Sequence, residues 1–186
     1  KSIFFNYLTN IYVEVSNFPG TTVEIYHGNY KNYIVYDTPG IYSVSSFNDE
    51  ERVAKEIILS ADRIINVVNT LHLERDLFLT LQLIDMGKKI SVLLNFSGEL
   101  KRRKIKIDSN KLSELLGVEV IETSAVNKTG LDKLEFAIDN AKVGNQQLDL
   151  HFMLQQLMEN NVSQSEALLI LEGDEETAEK NHLPLG

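Results

Sequence analysis

A chain of 186 residues, 43% of them hydrophobic, suits one domain of ordinary size plus a smaller appendage, with enough apolar material for a real core. Its net charge of −9 argues against a nucleic-acid partner, because phosphates favour basic surfaces. The lack of cysteine excludes disulfides and thiolate metal sites and fits a reducing compartment. The four histidines (His27, His72, His151 and His182) have no metal-ligand spacing, and no run reaches the roughly 18–20 apolar residues of a membrane span.

In chain order, Ile3, Phe4, Tyr7 and Leu8 give residues 1–9 the apolar face of a helix. Lys1-Ser2 at its start matches the end of a P-loop, G-x-x-x-x-G-K-[ST], where the ammonium neutralises the β/γ-phosphates and the hydroxyl ligates Mg²⁺. It also matches the start of any surface helix. A P-loop follows a strand, so the expectation is a polypeptide that extends N-terminally. Residues 16–24 form a turn-rich loop whose threonines can close over Mg²⁺ and cap a γ-phosphate; a Pro-Gly turn before β-favouring threonines is the plainer alternative.

Residues 23–26 and 33–36 then predict a hairpin with its turn near Gly28-Asn29. Its second strand delivers Asp37-Thr38-Pro39-Gly40 to a C-terminal strand end, where open α/β sheets bind ligands. Asp37 can hold Mg²⁺ through water. Gly40 leaves its N–H free to meet a γ-phosphate, because no Cβ blocks the approach. By itself Asp-x-Pro-Gly is also an ordinary turn.

Asn48 caps a helix with an acidic first turn and an apolar face of Val53, Ala54, Ile57 and Ile58. Residues 64–68 form a buried strand ending at Asn69, and 73–86 an amphipathic helix stopped by Gly87. Residues 90–94 form another buried strand, ending at Asn95. The basic run Lys101-Arg102-Arg103-Lys104 is a phosphate or lipid contact or, more commonly for such runs, a solvated helix face. Asp108 caps a helix that Gly117 stops, strand 118–121 leads to Ser124-Ala125, and a last helix spans 131–141.

This alternation predicts an α/β fold of the P-loop NTPase type over residues 1–143: a mostly parallel sheet flanked by helices with right-handed crossovers. After the polar break at 144–147 only helical periodicity remains. Leu150, Met153, Leu154, Leu157 and Met158 form a stripe, Ser163-x-x-Glu166 is a capping box, and Asp174 starts a third short helix. Residues 144–186 therefore read as a small all-α subdomain.

Lys-Ser, a threonine loop, Asp-Thr-Pro-Gly, a strand ending in Asn95 and a strand ending in Ser124-Ala125 follow the order of the five guanine-nucleotide motifs. Asn17-Phe18-Pro19-Gly20-Thr21-Thr22-Val23-Glu24, Asp37-Thr38-Pro39-Gly40-Ile41-Tyr42-Ser43, and Asn66-Val67-Val68-Asn69 with Leu73-Glu74-Arg75-Asp76-Leu77 carry a resemblance. Asn95 with residues 103–108 and 111–117, and 165–169 with 172–176, continue it. Together they resemble the N-terminal cytosolic GTPase (G) domain of bacterial ferrous iron transport protein B and its helical regulatory subdomain.

The resemblance covers nearly the whole chain, most loosely between 142 and 158. It implies a GTP- and GDP-binding, GTP-hydrolysing domain at the cytoplasmic face of the bacterial inner membrane. That domain stands ahead of a membrane-embedded iron-transport region of the same polypeptide, with the oligomeric state left open.

Carried over residue by residue, Lys1 contacts the β/γ-phosphates, and Ser2 and Thr22, with Thr21 beside it, ligate Mg²⁺. Asp37 holds Mg²⁺ through water, Thr38 and Pro39 continue the phosphate loop, and the Gly40 N–H senses the γ-phosphate. Lys1, Thr22 and Gly40 carry the catalytic roles. Asn95 faces the base, and the Ser124-Ala125 backbone meets guanine O6. Potassium-assisted hydrolysis is implied as well, through an asparagine that precedes Lys1 in the family pattern.

Two positions depart from that pattern. The guanine-reading Asn-x-x-Asp is here Asn95-Phe96-Ser97-Gly98. It lacks the carboxylate that accepts from guanine N1–H and N2–H₂, which weakens discrimination against other bases; Glu99 is the nearest substitute. Ile41 stands where Ras-type GTPases place a water-orienting glutamine, which implies slow hydrolysis. The expectation is a slow GTPase switch; the alternative is a degenerate regulatory module with relaxed guanine specificity and little hydrolysis.

Overall fold

The computed structural model describes residues 1–9, 13–45 and 48–185. After helix α1 (Ser2–Thr9), strands β1 (Glu14–Asn17), β2 (Glu24–Tyr30) and β3 (Tyr33–Asp37) form an antiparallel sheet in the order β1-β2-β3. The hairpin turns at Lys31-Asn32, where Lys31 has φ 51°. The expected turn at Gly28-Asn29 is wrong by three residues, because those two pair with Val35 and Ile34 inside the ladder. Tyr30 and Tyr33 extend the pairing until a two-residue loop closes it. Strand β1 has no counterpart among the expected elements: all four of its positions are exposed, so it carries no apolar alternation to reveal it.

The second sheet is parallel, ordered β4 (Ile64–Asn69), β5 (Ile90–Asn95), β6 (Glu119–Glu122). Strand β5 is buried at all six positions, the continuous burial expected of a central parallel strand covered on both faces. Helices α2 (Asp49–Ser60), α3 (Leu73–Asp85), α4 (Ser97–Arg102), α5 (Ser109–Leu116) and α6 (Leu134–Asp139) flank the sheets. Their caps follow the sequence: Asn48 accepts from the Glu51 N–H, Asp108 accepts from the Lys111 N–H, and Gly87 and Gly117 both have φ 72°. The expected helix over 131–141 divides into a 3₁₀ turn, Leu131–Lys133, and α6.

Among the described residues β3 and β4 share no ladder. Helix α1 joins the two sheets instead: Phe4 and Leu8 pack with Leu93 and Ile121 on one side and Val35 on the other. This packing fixes the Lys1-Ser2 end of α1 beside the end of β3.

Helices α7 (Leu148–Met158), α8 (Gln164–Leu171) and α9 (Glu175–Lys180) complete the chain. The predicted capping box is present at Ser163 and Glu166. Of the predicted α7 stripe, Leu154 is 1% exposed but Met153 is 52% exposed, so Met153 lies on the outer side of the helix. The helical part and the parallel sheet share one core, in which Leu154, Leu168, Leu169 and Ile170 pack with Leu83, Ile84, Val92 and Leu94.

Polar contacts reinforce that junction. The C-terminal carbonyls of a helix have no partner within it. Here the Gln146 side-chain amide donates to the Ile84 carbonyl (2.9 Å), that of Gln164 to Asp85 (2.8 Å), and the Ser165 hydroxyl to Met86 (2.8 Å). No helix among the described residues is long and apolar enough to cross a membrane.

Candidate nucleotide-binding site

Asp37 closes β3, while Asn69 and Asn95 close β4 and β5 and Ser124 follows β6, so Asn95 and Ser124 lie at the carboxyl edge of the parallel sheet. Of the candidates for a phosphate site, Lys1, Ser2 and Asp37 are brought together. The Ser2 hydroxyl donates to Asp37 Oδ2 at 2.7 Å, and Lys1 Nζ stands 3.3 Å from Asp37 Oδ1. The Lys1 ammonium also donates to the Thr38 carbonyl, which ties α1 to the Asp37–Gly40 loop.

Asp37 Oδ1 is buried and receives no hydrogen bond. The Lys1 side-chain ammonium stands beside it, outside hydrogen-bond geometry. Because Ser2 spends its proton on Asp37, its own lone pairs are free. One carboxylate and one hydroxyl are the hard-oxygen donors that Mg²⁺ takes from a protein while keeping several waters and completing its shell with phosphate oxygens. The residues present therefore fit that ion. Gly40 is exposed, and a Cβ there would meet nothing within 4 Å.

Thr21 and Thr22 are not brought to this cluster. The Thr21 hydroxyl donates to the Phe18 carbonyl (3.1 Å) and accepts from the Val23 N–H (3.2 Å), closing its own turn. Thr22 is exposed, and among the described residues it makes no polar contact with Ser2 or Asp37.

At the other end, Asn95 is 5% exposed, and its Oδ1 accepts the Ala125 N–H at 3.0 Å. Its carbonyl accepts the Thr70 hydroxyl at 2.6 Å. Asn95 Oδ1 thus ties the end of β5 to the Ser124-Ala125 loop. Asn95→Ala strands a buried N–H, a cost of about 1–3 kcal/mol that a lowered denaturant midpoint with unchanged slope would register. Glu99 is engaged elsewhere, by Arg102 at 2.9 Å. Two sizeable concavities lie away from this edge, one between α1 and β2 (Asn6, Tyr30, Glu135) and one beside β1 and α2 (Phe18, His27, Ile57).

Two residues that couple this edge to the helical part are absent from the sequence-derived candidates. Gln82 of α3 accepts the Val44 N–H (2.8 Å) and donates to Glu172 (2.5 Å). Lys55 of α2 pairs with Asp174 (3.1 Å) and Glu176 (2.7 Å). The signal for Lys55 is its place inside the apolar arc Val53, Ala54, Ile57 and Ile58; nothing marks Gln82.

The family model for ferrous iron transport protein B matches residues 1–138. The chain belongs to the ferrous iron transport protein B family. It is 38% identical over 146 residues to the Fe(2+) transporter FeoB of Helicobacter pylori strain J99, covering 75% of this chain and 23% of that protein. The Legionella pneumophila strain Paris FeoB is 40% identical over 145 residues, covering 73% and 19%. The chain thus spans about a fifth to a quarter of the length of the curated relatives it matches.

Its fold is also that of solved FeoB domains. A GDP-bound point mutant of S. thermophilus NFeoB superposes with a TM-score of 0.85 at 34% identity, covering 97% of this chain and 78% of that one. The GMPPNP form of the T. maritima FeoB cytosolic domain gives 0.81 at 28% identity, covering 97% and 80%.

Proposed function

We propose that this chain is the GTP-binding, GTP-hydrolysing regulatory domain of a bacterial ferrous iron transporter, residues 1–143 forming the G domain and 144–186 a helical regulatory subdomain. The observation that carries the reading is the convergence of Lys1, Ser2 and Asp37 at one strand edge. Relatives of the same fold bind GDP and GMPPNP, which supports a guanine nucleotide as the ligand.

Ser2 and Asp37 hold Mg²⁺, which when bound neutralises phosphate charge. The Lys1 ammonium lies against the β/γ-phosphates, and the Gly40 N–H donates to a γ-phosphate oxygen. Water attacks the γ-phosphorus in line as the bond to the β–γ bridging oxygen breaks, giving GDP and phosphate. Thr22, exposed on its loop, moves in to cap the γ-phosphate and is released after hydrolysis, which makes its loop one switch and 37–45 the other. Ile41 offers no polar group to orient the water, so turnover is slow unless backbone groups or K⁺ supply that function. The domain acts at the cytoplasmic face of the inner membrane on the iron-transport region of the same polypeptide.

Ile41 and Gly98 favour a second reading, a regulatory module that binds nucleotide and hydrolyses little. Single-turnover phosphate release from Mg²⁺–GTP by the intact protein separates the two. The switch reading predicts slow release faster than in protein-free buffer; bound but uncleaved GTP supports the second.

A further inference from the structure

The base end of the site lacks a carboxylate at position 98, and the structure puts another group in its place. A side chain at 98 would have its Cβ 2.7 Å from Asn127 Nδ2 and 3.7 Å from Ser124 Oγ. The Asn127 amide thus fills the space that the first atoms of an aspartate at 98 would need. The Asn127 N–H donates to Ser124 Oγ at 3.3 Å, which keeps this residue on the same loop as the Ser124-Ala125 backbone. Its side chain is exposed and, among the described residues, makes no hydrogen bond, so both ends of the amide are available. Glu99, the nearest carboxylate in sequence, is paired with Arg102.

We propose that Asn127 reads the C2 edge of the bound purine in place of a residue at 98, and that its amide favours a 2-oxo base, xanthine, over guanine. This deepens the nucleotide-binding reading and rests on it. A carboxylate offers two acceptors, which match the N1–H and N2–H₂ donors of guanine. An amide offers one acceptor and one donor pair. Its oxygen takes N1–H from guanine or xanthine alike. Its NH₂ then meets a second donor at guanine C2, an unsatisfied opposition, but an acceptor oxygen at xanthine C2. Hypoxanthine presents only a hydrogen at C2 and falls between them. Adenine is disfavoured at the same edge, because its N1 carries no hydrogen and gives the amide oxygen no donor. Specificity here comes as much from the mismatched donors as from the bonds formed.

The test is competition binding of GDP, XDP, IDP and ADP to the intact protein with Mg²⁺, in wild type, Asn127→Asp and Asn127→Ala. Wild type is expected to bind XDP about tenfold more tightly than GDP, with IDP between and ADP weakest, since one hydrogen bond separates successive bases. Asn127→Asp reverses the order of XDP and GDP, and Asn127→Ala brings XDP, IDP and GDP within a few-fold of each other. A wild-type preference for GDP, or a preference that neither substitution moves, overturns the assignment and leaves the nucleotide site standing. Failure of all four diphosphates to bind overturns the nucleotide reading and this assignment with it.

Discussion

Lys55→Met lowers the stability of the protein by about 3 kcal/mol, because removing one member of a buried ion pair leaves the other charge uncompensated. The Lys55 side chain is 1% exposed and that of Asp174 is 6%, so neither can exchange its partner for water. Glu176, at 53% side-chain exposure, contributes little of this, as exposed pairs do. Asp174 also caps α9 by accepting the Thr177 N–H at 2.9 Å, so the stranded carboxylate keeps one bond. Lys55→Met/Asp174→Asn, which removes both charges and keeps the cap, recovers most of the loss; a double-mutant cycle on denaturant midpoints isolates the pair.

The same pair has an acid signature. Burial pushes the Asp174 carboxyl up, but hydrogen bonds from Thr177 and Lys55 outweigh it and hold the group below its ordinary value. A depressed carboxylate contributes stability that is present above the unfolded value of about 3.9 and is lost as pH falls below it, through the folded value. Wild type therefore destabilises more steeply than the double variant below about pH 4.

Because Lys55 lies on α2, just beyond the Asp37–Ser45 loop, and Gln82 links Val44 to Glu172, these bonds join the candidate switch loop to α8 and α9. Their loss would loosen that connection as well as the fold.

Asp37→Ala abolishes Mg²⁺-dependent hydrolysis, by at least about 100-fold in single-turnover rate, the scale of removing one preorganised charge-stabilising group. The substitution removes the Ser2 acceptor and the partner of Lys1 together, so all three members of the candidate cluster are disturbed at once. Stability should change far less than for Lys55→Met, since Lys1 and Ser2 are exposed and regain water. A large rate loss with a small shift in denaturant midpoint separates a role in the site from a role in the fold. An unchanged rate would remove Asp37 from the mechanism.

Much of this is written in the sequence. The apolar runs of β4 and β5, the caps Asn48, Asp108 and Ser163 and the stops Gly87 and Gly117 encode their elements within a few residues, which is the range over which pattern reading works, although β4 is buried only at Asn66 and Val68 and not along the whole run as expected. Asp37 and Lys1-Ser2 stand out as candidates because phosphate chemistry demands a narrow set of residues at strand ends and helix starts.

What escapes depends on distant partners. Strand β1 is defined by its pairing with β2 and not by any apolar alternation of its own. Lys55 is buried only because Asp174 is 119 residues away in sequence and beside it in space. Asn127 matters only because Gly98 leaves it room. Asn95 is expected to face the base; that its Oδ1 also accepts the Ala125 N–H is a contact set by the loop after β6.

The central claim is that the Lys1–Ser2–Asp37 edge binds the phosphates of a purine nucleotide with Mg²⁺. Thermal melting of the intact protein with and without Mg²⁺–GMPPNP tests it most directly, since a ligand that binds only the folded state raises the melting temperature. The account predicts a rise that saturates with nucleotide and is lost on chelating Mg²⁺ or in Asp37→Ala. A melting temperature unmoved by millimolar GMPPNP, GDP or XDP in the presence of Mg²⁺ would contradict it.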